Sequence, residues 1–311
     1  MKVSAIIPTH NRPAVLRDCL ETLHAQQVDP SALEVIVVDD GSPVDIGAVV
    51  AAVAARGEIA MRCERLELTG LNGGRNRGAA LATGDVLAFL DDDTLVSPGW
   101  AAALLRAFED NPCAAVGGKI ELRLAGPEPE WLSRRRYYLA EYDLGPEPFW
   151  LDDELVDGRD SSPVGANCAI RRTEFDRMDG FRAGLDRIGD SLVSNGDTEF
   201  FHRMRESGRR MRYEPEAAVI HCVPADRLTV EFFVKRHYAQ GVSDELLLGT
   251  RGEPATWRRR IQLAGKVWEG CKRLTKDVIR GRGTVEGRFQ LSYWMGRVRA
   301  LGRVPAAPVG K

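Results

Sequence analysis

The chain has 311 residues, 44 % hydrophobic and 28 % charged, an ordinary globular balance that buries a sizeable core; it shows no low-complexity tract or internal repeat, which argues against a solenoid or propeller. A formal net charge of −2 hides an asymmetry, because residues 251–311 carry 15 Lys/Arg against 4 Asp/Glu while the first 250 carry 28 against 41. The acidic body excludes general nucleic-acid binding, and the basic tail points to an anionic partner.

Val3-Ser4-Ala5-Ile6-Ile7 reads as a short strand closed by Pro8, with too little apolar length for a secretory signal. Residues 12–26 place Val15, Leu16, Cys19, Leu20 and Leu23 at helical spacing. Glu34-Val35-Ile36-Val37-Val38 predicts a second strand, stopped by Asp39-Asp40-Gly41-Ser42. A helix over 46–55, a strand over 61–68 and a helix over 76–82 follow. Asp85-Val86-Leu87-Ala88-Phe89-Leu90 then predicts a strand that runs into Asp91-Asp92-Asp93. This βαβα order with near-continuous apolar strands predicts a parallel sheet covered by helices. In such sheets ligands bind at the carboxyl ends of the strands. Three strands end there in polar loops, at Pro8-Thr9-His10-Asn11-Arg12, at Asp39 to Ser42 and at Asp91 to Asp93.

Residues 126–160 read as a long, partly irregular segment in which Trp131-Leu132 and Tyr137-Tyr138 either stack on sugars or simply pack. Strand and helix patterns return over 164–224, a basic helical region covers 228–280, and 304–311 look frayed. No apolar run approaches the roughly 20 residues needed to cross a bilayer. Six scattered cysteines without a CxxC pair predict reduced thiols in a cytoplasmic protein, not a zinc site or a disulfide framework.

Several groups suggest chemistry. Asp91, Asp92 and Asp93 cannot all stay ionised side by side without solvent, or without a divalent cation such as Mg²⁺ or Mn²⁺ that bridges to a diphosphate. Asp39-Asp40-Gly41-Ser42 is either a turn or a carboxylate acceptor for a nucleobase or ribose. Gly73-Gly74-Arg75-Asn76-Arg77-Gly78 matches neither dinucleotide nor P-loop spacing; it is a helix start, or it offers Arg75 to a phosphate or base. Asp197 is an N-cap or a general base, with Glu199 as its fallback. His221, after an apolar run, is structural or completes a metal shell.

In this order and spacing the segments resemble family 2 glycosyltransferases of the GT-A fold. That fold is an α/β, Rossmann-like, mostly parallel sheet flanked by helices, here with a C-terminal helical extension. The match rests on Ile6 to Arg12, Val37 to Ser42, Arg75 to Gly78, Phe89 to Asp93, Val164 to Arg172, Gly196 to Glu199, Arg212 to Pro215 and Val219 to His221. The resemblance implies inverting, metal-dependent transfer from a nucleoside diphosphate-sugar, by family prevalence a UDP-sugar, to a hydroxyl of a glycan, lipid-linked sugar or small molecule. It implies nucleotide contacts from Pro8, Thr9, Asn11, Arg12, Asp40, Arg75, Asp91 and Asp92. It further implies Mn²⁺ or Mg²⁺ at Asp93, Asp91 and His221, acceptor contacts from Gly165, Ala166 and Asn167, and Asp197 as base. Members commonly have an acidic residue just before that aspartate; here it is Gly196.

The implied division is a nucleotide-sugar half over 1–125, an acceptor-binding and catalytic half over 126–225, and the basic helical region over 226–311. Two other functions stay open. A sugar nucleotidyltransferase usually needs a Gly-rich basic loop where Pro8-Thr9-His10-Asn11 stands, and a catalytically silent GT-A-like module would keep the fold alone. Trp257, Ile261, Ala264, Trp268, Cys271, Leu274 and Val278 recur at helical spacing among basic residues. They either pack a helix on the catalytic domain or, over 256–282, hold the protein on the anionic inner face of a membrane.

Overall fold

The computed structural model describes residues 1–152, 155–156, 159–189, 191–253, 255–280 and 283–303; the tail at 304–311 and the end of the 256–282 segment lie outside them. The first apolar run forms β1 (Val3–Thr9), which continues through Pro8 and pairs in parallel with β2 (Leu33–Asp40). Between them α1 (Pro13–His24) buries Leu16, Cys19, Leu20 and Leu23. The strand β3 (Ala60–Leu66) follows α2 (Ile46–Ala54) and extends the parallel set beyond β2. Next comes α3 (Leu71–Leu81), then β4 (Val86–Leu90), parallel to β1 on its other side.

Helix α3 starts five residues earlier than helix propensity predicts, and its glycines are the reason. A Cβ at Gly78 would sit 2.3 Å from Ile6 Cγ2, so these glycines let α3 lie directly against β1. They are packing residues inside the helix, where the sequence pattern places them at or before its start.

The second half weaves into the same sheet. It comprises β5 (Thr94–Val96), α4 (Trp100–Asp110), β6 (Ala115–Leu124), β7 (Phe149–Trp150), β8 (Leu155–Val156), β9 (Arg159–Asp160), β10 (Asn167–Arg171), α5 (Arg172–Arg177), α6 (Gly196–Glu206) and β11 (Met211–Val223). The strand order is β3-β2-β1-β4-β10-β6-β11-β5, with β7 also on β11 and β8-β9 as a separate hairpin. Because β10 inserts antiparallel between β4 and β6, the sheet is continuous across residues 125 and 126. Six of the nine strands (β1, β2, β3, β4, β6 and β11) point the same way, as a mostly parallel sheet requires.

The segment over 126–160 is more ordered than its composition predicts. It forms two 3₁₀ turns, Glu130–Leu132 and Arg136–Leu139, besides β7 to β9. Trp131 packs edge-on against Phe233 and Phe289, with ring centroids 4.7 and 5.5 Å away, so it fastens this segment to the C-terminal helices.

Those helices are α7 (Val230–Thr250), α8 (Trp257–Ile279) and α9 (Val285–Ala300). The side of α8 that packs inward carries Leu263 and Gly270. Four residues of its apolar stripe face solvent: Trp257 is 67 % exposed, and Ile261, Trp268 and Val278 are each 62 % exposed. No helix among the described residues is long and apolar enough to cross a membrane.

Candidate active site

The carboxyl ends of β1, β2 and β4 bring the three polar loops to one edge, as predicted. At the end of β1, Thr9 Oγ1 donates to Asp92 Oδ2 at 2.7 Å. Arg12 at the start of α1 donates to Asp92 Oδ1 and, at 2.9 Å, to Asp93 Oδ2. Asn11 takes a left-handed backbone conformation, and its N–H donates to Ser42 Oγ at 2.7 Å. Pro8 is buried on β1 beneath α3. The Asp40 carboxylate accepts from Thr69 N (2.6 Å), Thr69 Oγ1 (2.9 Å) and Gly70 N (2.9 Å), so it ties the loop before α3 to the end of β2.

Asp92 and Asp93 are both buried, and their environments pull them apart. Burial pushes Asp92 up to about 7, with Arg12 opposing and the Asp93 charge adding to the rise. Burial also acts on Asp93, but His221, Arg12 and Arg227 overcome it and hold Asp93 below the ordinary carboxylate range. Asp91, less buried, faces a cavity of about 670 Å³ and lies 3.2 Å from Arg75 Nη2.

His221 on β11 reports on what belongs beside Asp93. Its Nδ1 lies 2.7 Å from the Leu139 carbonyl oxygen, which can only accept, so Nδ1 carries the proton. Nε2 then turns to Asp93 Oδ1 at 3.2 Å, and that oxygen is buried without a well-aligned hydrogen-bond partner. A lone pair facing a carboxylate calls for a proton or a cation between them. Two adjacent ligands of one octahedral cation are also roughly 3 Å apart when each bond is about 2.1 Å. Among the described residues no three His, Cys, Asp or Glu side chains form a preformed cage. A cation shared with substrate phosphates needs only one or two protein carboxylates, and Asp93 with His221 fits that case, while Asp91 turns to Arg75 and is not gathered into one group with them.

Asp197 stands in the first turn of α6, and its Oδ2 accepts from Gly165 N at 2.7 Å. The Gly165 carbonyl accepts from Arg75 Nη2 at 2.9 Å. Asp91, Arg75, Gly165 and Asp197 therefore form one connected chain along the cavity. Gly196 has a steric reason, since a Cβ there would lie 2.3 Å from Asn72 Nδ2 and 2.9 Å from the Leu185 carbonyl oxygen. No acidic side chain fits at that position while α3 lies so close. Glu199 is buried and paired with Arg182 at 3.1 Å and Arg203 at 2.9 Å, which makes it part of the scaffold.

Ala166 lines the cavity beside Val164. Asn167 turns away from it. Its Oδ1 accepts from Trp100 Nε1 at 3.0 Å and its Nδ2 donates to the carbonyls of Lys119 (3.0 Å) and Ala217 (2.7 Å). That side chain frames the site by joining α4, β6 and β11.

No motif flagged Arg187, Arg227, Arg236 or Asp244, which also line the cavity. Arg227 lies six residues beyond His221, in the 3₁₀ turn Ala225–Leu228, and approaches Asp93 at 3.4 Å. The spacing His221 to Arg227 was available in the sequence, but a charge at a turn carries no signature of its own.

With this geometry in hand, comparisons with known proteins give a consistent result. The model of glycosyl transferase family 2 matches residues 4–177. The chain is 30 % identical to a glucosyl-dolichyl phosphate glucuronosyltransferase of Haloferax volcanii, over 79 % of this chain and 77 % of the relative. It is 27 % identical to the succinoglycan biosynthesis protein ExoM of Rhizobium meliloti, over 83 % of this chain and 78 % of that protein. Among solved structures, the mannosyltransferase PcManGT of Pyrobaculum calidifontis superposes with a TM-score of 0.55 at 20 % identity, covering 77 % of this chain and 62 % of that one. S. aureus TarS 1-349 gives 0.54 at 18 % identity, covering 78 % and 65 %. The chain thus spans just under two thirds of these two solved chains, which speak for the fold. By its family match, its relatives and its GT-A architecture, this chain belongs to glycosyl transferase family 2 and is a glycosyltransferase.

Proposed function

We propose that the chain moves a sugar from a nucleoside diphosphate-sugar, a UDP-sugar in the first instance, to a hydroxyl of a glycan, lipid-linked sugar or small molecule, with inversion. The observation that carries this reading is the chain Asp91–Arg75–Gly165–Asp197, which sets a helix-terminal carboxylate into the same cavity as the acidic strand end. Asp197 is the base: it takes the acceptor's proton as the hydroxyl attacks the anomeric carbon from the face opposite the leaving group. A single displacement of that kind inverts configuration. Thr9, Asn11, Arg12, Asp40 and Asp92, with Pro8 behind them, form the nucleotide edge, Arg75 closes it, and Gly165 and Ala166 border the acceptor.

Asp93 and His221, with Asp91, are the residues to hold Mn²⁺ or Mg²⁺; the chemistry such an ion supplies when bound is neutralisation of charge developing on the leaving diphosphate. PcManGT was solved with GDP-Man and Mn²⁺ and TarS with UDP, which supports the donor class and the ion. The test is thermal unfolding with UDP or GDP and Mn²⁺, with a chelator control. A ligand at about 100 times its dissociation constant adds roughly 2.7 kcal/mol. A metal-dependent shift is expected, followed by release of free nucleoside diphosphate from a sugar donor. Release of pyrophosphate would turn the case to a nucleotidyltransferase, and no shift with any nucleotide to a silent module.

Helix α8 supports a location for this activity at the anionic inner face of a membrane. Trp257, Ile261 and Trp268 lie outward in one stripe, with the Arg258 guanidinium over the Trp257 ring and the Lys272 ammonium over the Trp268 ring, the arrangement of an interfacial helix. Flotation with anionic vesicles is expected to recover the protein and neutral vesicles to recover little. Equal recovery with both removes the anionic face from the proposal, and none with either removes the membrane.

A further inference from the structure

Arg187, Arg227 and Arg236 converge on the cavity from three separate elements. The backbone of Arg187 is held in place by α3, whose Leu71 N donates to the Arg187 carbonyl at 3.0 Å. Arg227 belongs to the turn after β11, and Arg236 to α7. Arg236 is 8 % exposed. Its Nε donates to the Tyr138 carbonyl at a long 3.4 Å and its guanidinium lies over the Tyr138 ring, while Nη1 is buried without a hydrogen-bond partner. Burial first, and then the Arg187 charge, pushes Arg236 down to about 10.

Negative charge nearby does not close this cluster. Asp244 and Asp197 act on Arg236, and Asp93 and Asp91 on Arg227, but among the described residues no carboxylate lies within 4 Å of Arg187 or Arg236. Asp244 is already taken up by Asn195, Gln240 and Tyr293. A buried guanidinium with unused N–H groups is costly unless an anion completes it. Three guanidinium forks around one space suit a tetrahedral, multiply charged oxyanion better than a single carboxylate.

We propose that Arg187, Arg227 and Arg236 form an anion site for a substrate phosphate group, which holds that phosphate beside Asp197. The inference rests on the glycosyltransferase reading of the cavity and deepens it. Two substrates could bring the phosphate: the donor, through its diphosphate, or an acceptor that carries a lipid phosphate. Either way the three arginines are positioning residues, and their work is to orient a substrate before the proton leaves the acceptor hydroxyl.

Calorimetric titration in the presence of chelator tests the site without relying on turnover. The probes are inorganic pyrophosphate, UDP against UMP, and geranyl phosphate against geraniol. The variants are Arg187→Gln, at a half-buried position with no carboxylate partner among the described residues, and Arg236→Met, which replaces a buried charge by an apolar chain of similar length; a melting curve first checks that each is folded. Affinity for pyrophosphate is expected to fall about tenfold or more in each variant. Loss for UDP with UMP unchanged assigns the phosphate to the donor, and loss for geranyl phosphate with UDP unchanged assigns it to the acceptor. Wild-type protein that binds no phosphate probe overturns the proposal, and so does retention of every affinity within about twofold in the folded variants. If Arg236→Met does not fold, Arg187→Gln decides alone. Pyrophosphate binding through these arginines without any sugar transfer would sink the transferase reading and leave the anion site standing. Transfer that ignores both variants would do the reverse.

Discussion

The two ends of the same parallel strands treat buried carboxylates in opposite ways. At the amino end Glu34, the second residue of β2, accepts from Ser4 Oγ at 2.6 Å and from Thr83 N and Oγ1 at 2.6 and 2.9 Å, with Lys2 and Arg62 each 3.5 Å away. Burial alone would push Glu34 up, but those donors and Lys2 bring it down to about 2. At the carboxyl end Asp92 is pushed up to about 7, Asp93 is held down, and Asp93 Oδ1 has no well-aligned donor. One network is closed by the protein itself and the other is left for a ligand to close. Closed networks stabilise, while incomplete ones hold charge where binding or chemistry will use it.

If that contrast holds, substitutions at the carboxyl end cost function and those at the amino end cost stability. The largest effect expected is from Asp197→Asn, with turnover down by about 10²–10⁴-fold while nucleotide binding and melting temperature stay near wild type. Steady-state kinetics beside a melting curve checks this, and loss of binding would make Asp197 a structural residue, although not the N-cap, which is Asn195. Next in size is Glu34→Gln, expected to cost roughly 3 kcal/mol at pH 7 with kcat unchanged. Because the folded pKa is depressed, this contribution is complete above about 4.5 and is lost as pH falls toward about 2. Urea unfolding of both proteins at pH 7 and pH 3 should therefore show the gap narrowing in acid. Asn167→Ala comes third, at roughly 2 kcal/mol, since it orphans Trp100 Nε1 and two carbonyls. This residue sits at the active end but behaves like the other: stability should fall, and a rise in acceptor KM without loss of stability would contradict that.

The carboxyl-end loops were legible before any coordinates, because buried strands that stop at Asp39, Asp40 and Asp91 to Asp93 announce their own sidedness through alternation of strand and helix. Asp197 was legible as one of two things, an N-cap or a base, and its bond to Gly165 adds what spacing could not. Gly196 looked like a departure; the distance to Asn72 makes it a packing requirement that no linear pattern encodes. Helix α3 was read short because glycine's low propensity outweighs, in sequence, the close contact that needs it. The α8 stripe was legible as a stripe, but period alone does not tell an inward face from an outward one. Arg187, Arg227 and Arg236 are far apart in the chain, so their meeting is purely tertiary.

The sharpest check on the contrast is a change of sign with pH in metal-free protein. Asp92 keeps its proton to about pH 7 in the folded state and loses it near 3.8 when unfolded. The native state therefore binds more protons in between, so this group makes stability fall as pH rises from about 4 to about 7. His221 pulls the same way: burial lowers its pKa, but Asp93 more than offsets that and raises it above 6.5. Its contribution is complete below that value and is lost as pH rises through the folded one. Asp92→Asn should flatten the decline between pH 4 and 7, while Glu34→Gln leaves that window's slope almost untouched and acts below it. Melting temperature followed from pH 3 to 8 in chelator separates the two. A wild-type profile that climbs from pH 4 to 7, in parallel with Asp92→Asn, would mean that the carboxyl-end network is already closed. The distinction between the two ends would then have to rest on Asp197 alone.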